Sequence, residues 1–264
     1  MNKSPIYFTL ALLALFLLGC PSTKETKKEE APPPPPAKPV AADIVIQVGS
    51  LDLAKLSRKI ETSDIEQLTT VLKRSKVDIL TMHGITRYPG LKDRIDVVDE
   101  LSRQTGMRQA FGENLMLNGR QTGNAVFSSY PIQSSANTPY SGIQSMNFES
   151  ALQTIVDCGA RSVVVVATRL PDKASVDDQT TCINLLNSFN TLYLDDPIII
   201  AGNLPGSGDA EKIALFDEAR MKGQSPAIWF SRGQSLKLTH VKTENTQLGP
   251  LIVAEFGIFR KPQP

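Results

Sequence analysis

Short apolar runs and stretches of helical period alternate along the chain from Ile44 onward. Ile44 to Val48 predicts a strand, and Val77 to Met82 a buried one. Between them, Ser63-Asp64-Ile65-Glu66 has the form of a capping box: Ser63 caps a helix and Glu66 reaches back to the open N–H groups. Ile65, Leu68 and Leu72 then share one helical face, and Lys73 and Arg74 suit the negative end of the helix dipole. Leu91, Ile95, Val98 and Leu101 predict a second helix, closed by Gly106. Shorter strands are expected at Met107 to Phe111 and Ala125 to Ser128. Leu152 to Val156 and Ser162 to Thr168 flank the turn Cys158-Gly159-Ala160 and predict a hairpin. Val163 to Val166 is apolar without alternation, which marks a strand covered on both faces. A helix over Thr180 to Leu194 leads into Pro197 to Ala201, again a buried strand, and a short helix is expected near Glu211 to Met221. Three strands close the chain, at Ile228 to Ser231, Leu236 to Val241 and Leu251 to Phe256. This mixture of βα units and hairpins excludes a purely parallel, doubly wound sheet. It predicts an α/β (α+β) fold, a four-layer α/β/β/α sandwich of two mixed β-sheets with outer helices.

The N-terminal region has a different pattern. Lys3 supplies a positive start, Ile6 to Leu18 an apolar stretch, and Leu17-Leu18-Gly19-Cys20 a lipobox. The apolar stretch has signal-peptide length and falls short of the about 20 residues that a membrane span needs. Residues 1–19 are therefore expected to be a lipoprotein signal peptide, cleaved before a lipidated Cys20. Several acyl chains hold a protein to a membrane stably where one holds it only marginally. Residues 20–42 carry a charged stretch from Lys24 to Glu30 and then the run Pro32 to Pro36. They have too few apolar side chains to offset the entropy of ordering. A disordered tether is expected, extended in its proline run, holding a domain over residues 43–260 away from the membrane. Pro21 rather than an acid follows Cys20, so the expected location is the cell envelope, at the outer membrane facing the periplasm.

Composition narrows the chemistry. A formal net charge of +1 lacks the basic field that nucleic-acid binding uses, so nucleic acid is not the expected partner. Cys158 and Cys182 are candidates for a disulfide in an exported chain. Cys182 also falls on a helical apolar stripe with Leu185, Leu186, Phe189 and Leu192, where a thiol serves as a small apolar residue. The sequence contains no G-x-S-x-G, H-E-x-x-H, C-x-x-C or phosphate-binding G-x-x-x-x-G-K.

Six segments, in order, resemble those of the endonuclease/exonuclease/phosphatase superfamily, which includes deoxyribonucleases, abasic-site endonucleases, sphingomyelinases and inositol polyphosphate phosphatases. Asp78-Ile79-Leu80-Thr81-Met82-His83-Gly84-Ile85 resembles its D-I-L-x-L-Q-E-V strand. Gly123-Asn124-Ala125-Val126-Phe127-Ser128-Ser129-Tyr130-Pro131-Ile132 resembles G-N-A-I-L-S-R-x-P-I. Val164 to Leu170 resembles the strand ending in T-H-L, and Pro197 to Pro205 resembles P-x-I-L-A-G-D-F-N. Pro226 to Ser231 resembles I-D-Y-I-F-x-S, and Thr246-Gln247-Leu248-Gly249-Pro250 resembles S-D-H-x-P. The resemblance implies metal-assisted phosphoester hydrolysis, with Mg²⁺ on strand-end carboxylates and histidine-assisted attack by water.

The positions that match the superfamily's catalytic residues read otherwise. The first-strand asparagine falls at Gly49, where the alignment can slip by one, and the metal-binding glutamate at Gly84. The T-H-L histidine is Arg169, and the G-D-F-N pair is Asn203 and Pro205. The I-D-Y aspartate is Ala227, and the S-D-H pair is Gln247 and Leu248. None retains a carboxylate or imidazole. No catalytic or metal-ligating residue is expected among them, and no cofactor, with Mg²⁺ kept for the alternative of a hydrolase with relocated residues. His83 is expected to face away from the former site, because neighbours on a strand face opposite sides. Asp209 is expected to cap a helix, and His240 to lie on the surface. Arg169 and Asn203 in the cleft, with Arg87 and Arg120 at its mouth, are candidates for binding an anionic envelope ligand. The alternative for Arg169 is a structural ion pair. The expected role is binding or structure; metal-dependent phosphoester hydrolysis is the alternative.

Overall fold

The apolar strands anticipated from the sequence lie at the centres of two sheets in a computed structural model, which describes residues 41–90, 94–140, 149–170, 175–193, 195–204, 216–219, 226–233 and 235–260. The chain divides into two units, Met1–Pro39 and Val40–Pro264, and the described residues belong to the second. Cys20, Pro205 and Asp209 lie outside the described residues.

The first sheet contains β1 (Ile44–Asp52), β2 (Ile79–Arg87), β3 (Arg108–Leu117), β4 (Arg120–Ser128), β11 (Leu236–Thr246) and β12 (Gly249–Ile258), in the order β11-β12-β1-β2-β4-β3. The second contains β5 (Ile132–Pro139), β6 (Ser150–Asp157), β7 (Ser162–Arg169), β8 (Ile198–Asn203), β9 (Phe216–Ala219) and β10 (Ala227–Ser231), in the order β5-β6-β7-β8-β10-β9. The pairs β1–β2 and β7–β8 are parallel, and the other pairings are antiparallel. Parallel neighbours need a crossover. Helix α1 (Thr62–Arg74) lies between β1 and β2, and α3 (Val176–Leu192) between β7 and β8, while α2 (Val97–Thr105) precedes β3.

Strand alternation sorts the side chains into layers. Ile46, Val48, Ile79 and Val126 of the first sheet meet Val163, Val165, Ala167, Ile199 and Ile228 of the second in an inner core. Leu51, Leu80, Met82 and Phe127 point the other way, onto Ile65, Leu68 and Leu72 of α1 and Val98 and Leu101 of α2. Val164, Val166, Ile200 and Trp229 point outward beneath Cys182, Leu186 and Phe189 of α3. The four-layer α/β/β/α architecture follows, as the sequence predicts. The core residues run from Ile46 to Phe259, so the second unit carries its own core.

Several boundaries differ from expectation. Glu61, not Ser63, caps α1: Asp64 accepts from the Glu61 N–H at 2.9 Å and from Arg58 at 2.6 and 2.7 Å. Asp96 starts α2 by accepting from the N–H groups of Val98 and Asp99, leaving Ile95 outside the helix, and Leu91 lies outside the described residues. Ser175 starts α3 earlier than expected. Within the helix expected near Glu211 to Met221, Phe216–Ala219 is a strand paired to β10, with Phe216 and Ala219 buried and Asp217 exposed. Strand β5 was not anticipated, because Ile132–Pro139 is mostly polar and five of its eight residues are exposed. Cys158 and Cys182 are free thiols, the first in the inner core and the second on the buried face of α3.

Candidate functional site

The parallel pairs bring the carboxyl ends of β1, β2, β7 and β8 together, the place where α/β sheets build sites. Each strand continues its inward-facing series into a polar residue there. Ser50 and Asp52 follow Ile46 and Val48 on β1, and Thr81 and His83 follow Ile79 on β2. Arg169 follows Val165 and Ala167 on β7, and Asn203 follows Ile199 and Ala201 on β8. Glu149 joins them from the residue before β6.

These side chains bond mostly to one another, with Arg169 Nε and His83 Nδ1 buried without a hydrogen-bond partner. Arg169 donates to Glu149 at 2.9 Å, and its Nε lies 3.7 Å from an Asp52 oxygen. Asn203 donates to the other Asp52 oxygen at 3.1 Å, and the Ala54 N–H to the first at 3.0 Å. Asn114 donates to Glu149 at 3.2 Å. His83 is fully buried, with Nε2 at 3.1 Å from Ser50 Oγ and 3.3 Å from Thr81 Oγ1. Burial pulls the His83 pKa down to about 4, Asp52 opposes the shift and Arg169 adds to it. Burial also pushes Glu149 up to about 7, against the pull of Arg169. At neutral pH the imidazole is neutral and the Arg169 charge is balanced within the cluster.

His83 corrects the expectation from motif alignment, since it faces the site and not away from it. Alternation along β2 carries it inward after Ile79 and Thr81, in unbroken register with Asp52 of β1, while the register shift against β4 falls between Met82 and Ile85, where Gly84 takes a φ of +63°. A Cβ on Gly84 would lie 2.6 Å from the Ala54 Cβ. The position matched to the metal-binding glutamate is thus covered by the chain after β1. Gly49 faces Val77, Leu80 and Leu251 on the helix side, so Ser50 is the residue of β1 that reaches the site. Ala227 also faces outward, in the layer under α3. Leu248 is buried in the α1–α2 layer, and Gln247 is tied by its backbone to Gln67 and Arg58. His240 is exposed on β11, as expected.

The four candidate anion-binding residues do not converge. Arg169 and Asn203 meet at Asp52. Arg87 is held by Asp96 at 2.9 Å and Asp99 at 3.0 Å, over the Phe111 ring. Arg120 lines a separate cavity with Arg58, Lys59, Tyr88 and Arg94. The sequence reading missed Asp52 and Glu149. Asp52 was legible as the inward residue two positions beyond Ser50, whereas Glu149 belongs to no motif.

A divalent cation such as Mg²⁺ needs several hard oxygens free to converge. Arg169 already holds Glu149, Asn203 already holds Asp52, and Gly84 has no side chain to offer. The donor set does not fit the metal that the resemblance implies. Among the described residues, no group of three or more His, Cys, Asp or Glu side chains is placed to hold a metal ion.

Sequence comparison gives no match, either to a family model or to a curated protein. Structure comparison defines the class: the chain has the fold of endonuclease/exonuclease/phosphatase proteins. A protein of that description from Bacteroides thetaiotaomicron superposes with a TM-score of 0.63 at 7% identity, over 84% of this chain and 98% of its own. One from Beutenbergia cavernae gives 0.62 at 15% identity, over 81% and 72%. The catalytic domain of human Nocturnin, solved with a bound sulfate anion, gives 0.62 at 15% identity, over 81% and 93%.

Proposed function

We propose that this chain is a lipid-anchored binding protein of the cell envelope, in which an endonuclease/exonuclease/phosphatase fold has lost hydrolysis. The observation that supports this reading is Arg169. Its guanidinium reaches between the carboxylates of Asp52 and Glu149, at the strand ends where a catalytic centre would gather a metal. An internal cation there neutralises the acids and leaves no oxygen pair open to Mg²⁺. Calorimetric titration of residues 41–264 with Mg²⁺, Mn²⁺ and Ca²⁺, alongside a chromogenic phosphodiester assay, tests the loss of hydrolysis. No metal binding and no turnover are expected; specific binding with turnover overturns the reading.

Anchoring rests on the lipobox. Labelling cells with radioactive palmitate should mark the full chain, and Cys20→Ala should abolish the mark. Retained label in that variant refutes lipidation at this cysteine.

One observation favours the hydrolase alternative. Two carboxylates and an imidazole, Asp52, Glu149 and His83, do face the site although the motif positions are empty of them. Metal-dependent turnover lost in Asp52→Asn would establish that alternative.

A further inference from the structure

A second site lies on the outer side of the first sheet and shares no residue with the Asp52–Arg169 cluster. It is a cavity of about 330 Å³ between the chain after β1, the end of β2, the approach to α2 and the start of β4. That volume is in the range of small-ligand pockets. Leu56, Ile60 and Ile95, half-buried against the α1–α2 core, form an apolar floor. Arg58, Lys59, Arg94 and Arg120 line it, and no acidic side chain does so among the described residues.

The cations arrive from three separate segments, so this is not the solvated face of one helix. Bringing like charges together is unfavourable without an anion to share. Several arginines elsewhere meet carboxylates: Arg74 holds Glu244, Arg87 holds Asp96, Arg103 holds Glu100 and Arg232 holds Asp217, while Arg108 and Arg161 donate to Ser129 O and Ser235 Oγ. Here only Arg58 meets a carboxylate, through two hydrogen bonds to Asp64 that fix it at the rim. Lys59, Arg94 and Arg120 have no carboxylate partner among the described residues. Arg94 lies over the Tyr88 ring, 5.2 Å from its centroid, which orients its guanidinium. Leu117 is paired directly with Arg120 across the hairpin and is 51% exposed, so it extends the apolar surface beside a cation.

We propose that this cavity binds the phosphate group of an amphiphilic molecule. Arg94 and Arg120 take the phosphate oxygens, for which the planar guanidinium is suited. Leu56, Ile60 and Leu117 cover the apolar part. The proposal is independent of whether the Asp52–Arg169 centre is inert. A phospholipid headgroup and a soluble phosphorylated molecule share this chemistry.

The test titrates residues 41–264 with inorganic phosphate and with hexyl phosphate, and sediments the same protein with phosphatidylcholine vesicles with or without phosphatidylglycerol. Hexyl phosphate is expected to bind, more tightly than inorganic phosphate. Replacing Arg94 and Arg120 together by Ala is expected to weaken it about tenfold to a hundredfold, the usual range for losing charge-assisted hydrogen bonds. Both side chains are exposed, so the variant should fold, and its unfolding curve verifies that. Sedimentation that requires phosphatidylglycerol and is lost in the variant identifies a headgroup. Hexyl phosphate binding without such sedimentation identifies a soluble ligand. No hexyl phosphate binding by the wild type, or equal binding by the variant, overturns the proposal. Metal titration of the same protein reports on the other centre separately.

Discussion

The two polar regions at the carboxyl ends of β1 and β2 treat charge in opposite ways. On the inner side, Arg169 is surrounded by Asp52, Glu149 and Asn203, all largely buried. On the outer side, Lys59, Arg94 and Arg120 stand exposed around an apolar floor. A buried charge must be paired to be tolerated, so the inner cluster reports on stability before anything else. An exposed cation can remain without a protein partner and be available to a ligand. The inner region has the location expected of a catalytic centre and the chemistry of a structural network.

Arg169→Ala gives the largest test of that contrast. It leaves two carboxylates facing each other in a site where their partner was 15% exposed. Breaking a buried pair in this way costs about 3–5 kcal/mol, and urea unfolding at pH 7 should show it. A loss below about 1 kcal/mol, near the value of a surface pair, would mean that the cluster is wet and open. The contrast between the two regions would then collapse.

The pH dependence of the same cluster is nearly as large. The folded pKa of His83, about 4, lies below its ordinary 6.5, so between those values the unfolded chain holds the extra proton and stability rises with pH. The folded pKa of Glu149, about 7, lies above its ordinary 4.5, so there the folded chain holds the extra proton and stability falls as pH rises. The two contributions offset each other where the windows overlap. Glu149→Gln removes one of them. Relative to wild type, the variant should gain on the order of 3 kcal/mol as pH rises from 4.5 to 7. Urea midpoints measured across that range check it. A difference that stays constant with pH would show that Glu149 titrates normally.

Gly84→Glu restores an acid at the position matched to the superfamily's glutamate. With φ at +63° and Ala54 already 2.6 Å from the new Cβ, it should destabilise by about 1–3 kcal/mol. Calorimetry should find no Mg²⁺ bound. A stable variant that binds Mg²⁺ would show that only the acid was missing, not the space for it.

The layers were legible in the sequence because burial on both faces writes continuous apolar runs, as in Val163 to Val166. Helix starts were less legible. Ser63 looked like a cap, but Asp64 had a stronger partner in Arg58, five residues before the serine. The site was legible by what its motif positions lack, and much less by what it contains. Counting from the motif put Gly84 inward and His83 outward, whereas alternation along β2 from Ile79 through Thr81 carries His83 inward. Asp52 follows from alternation along β1. Glu149 does not, because its place depends on how β6 lies across the sandwich from β3 and β4, which no local pattern encodes.

The smallest effect on stability sharpens the comparison most. Arg120 lies exposed at the start of β4, beside Leu117 and without a carboxylate partner among the described residues. Arg120→Ala should therefore change stability by less than about 0.5 kcal/mol, as for surface positions with no special contact. The inner Arg169 should cost several times that, although both are arginines at strand ends on the same side of the fold. If the outer cavity serves a ligand, its arginines are conspicuous for how little the fold needs them. Urea unfolding of Arg120→Ala in phosphate-free buffer makes the measurement. A loss above about 1 kcal/mol would give Arg120 a structural role, and the outer region would then be a second internal network in place of a surface held ready for an anion.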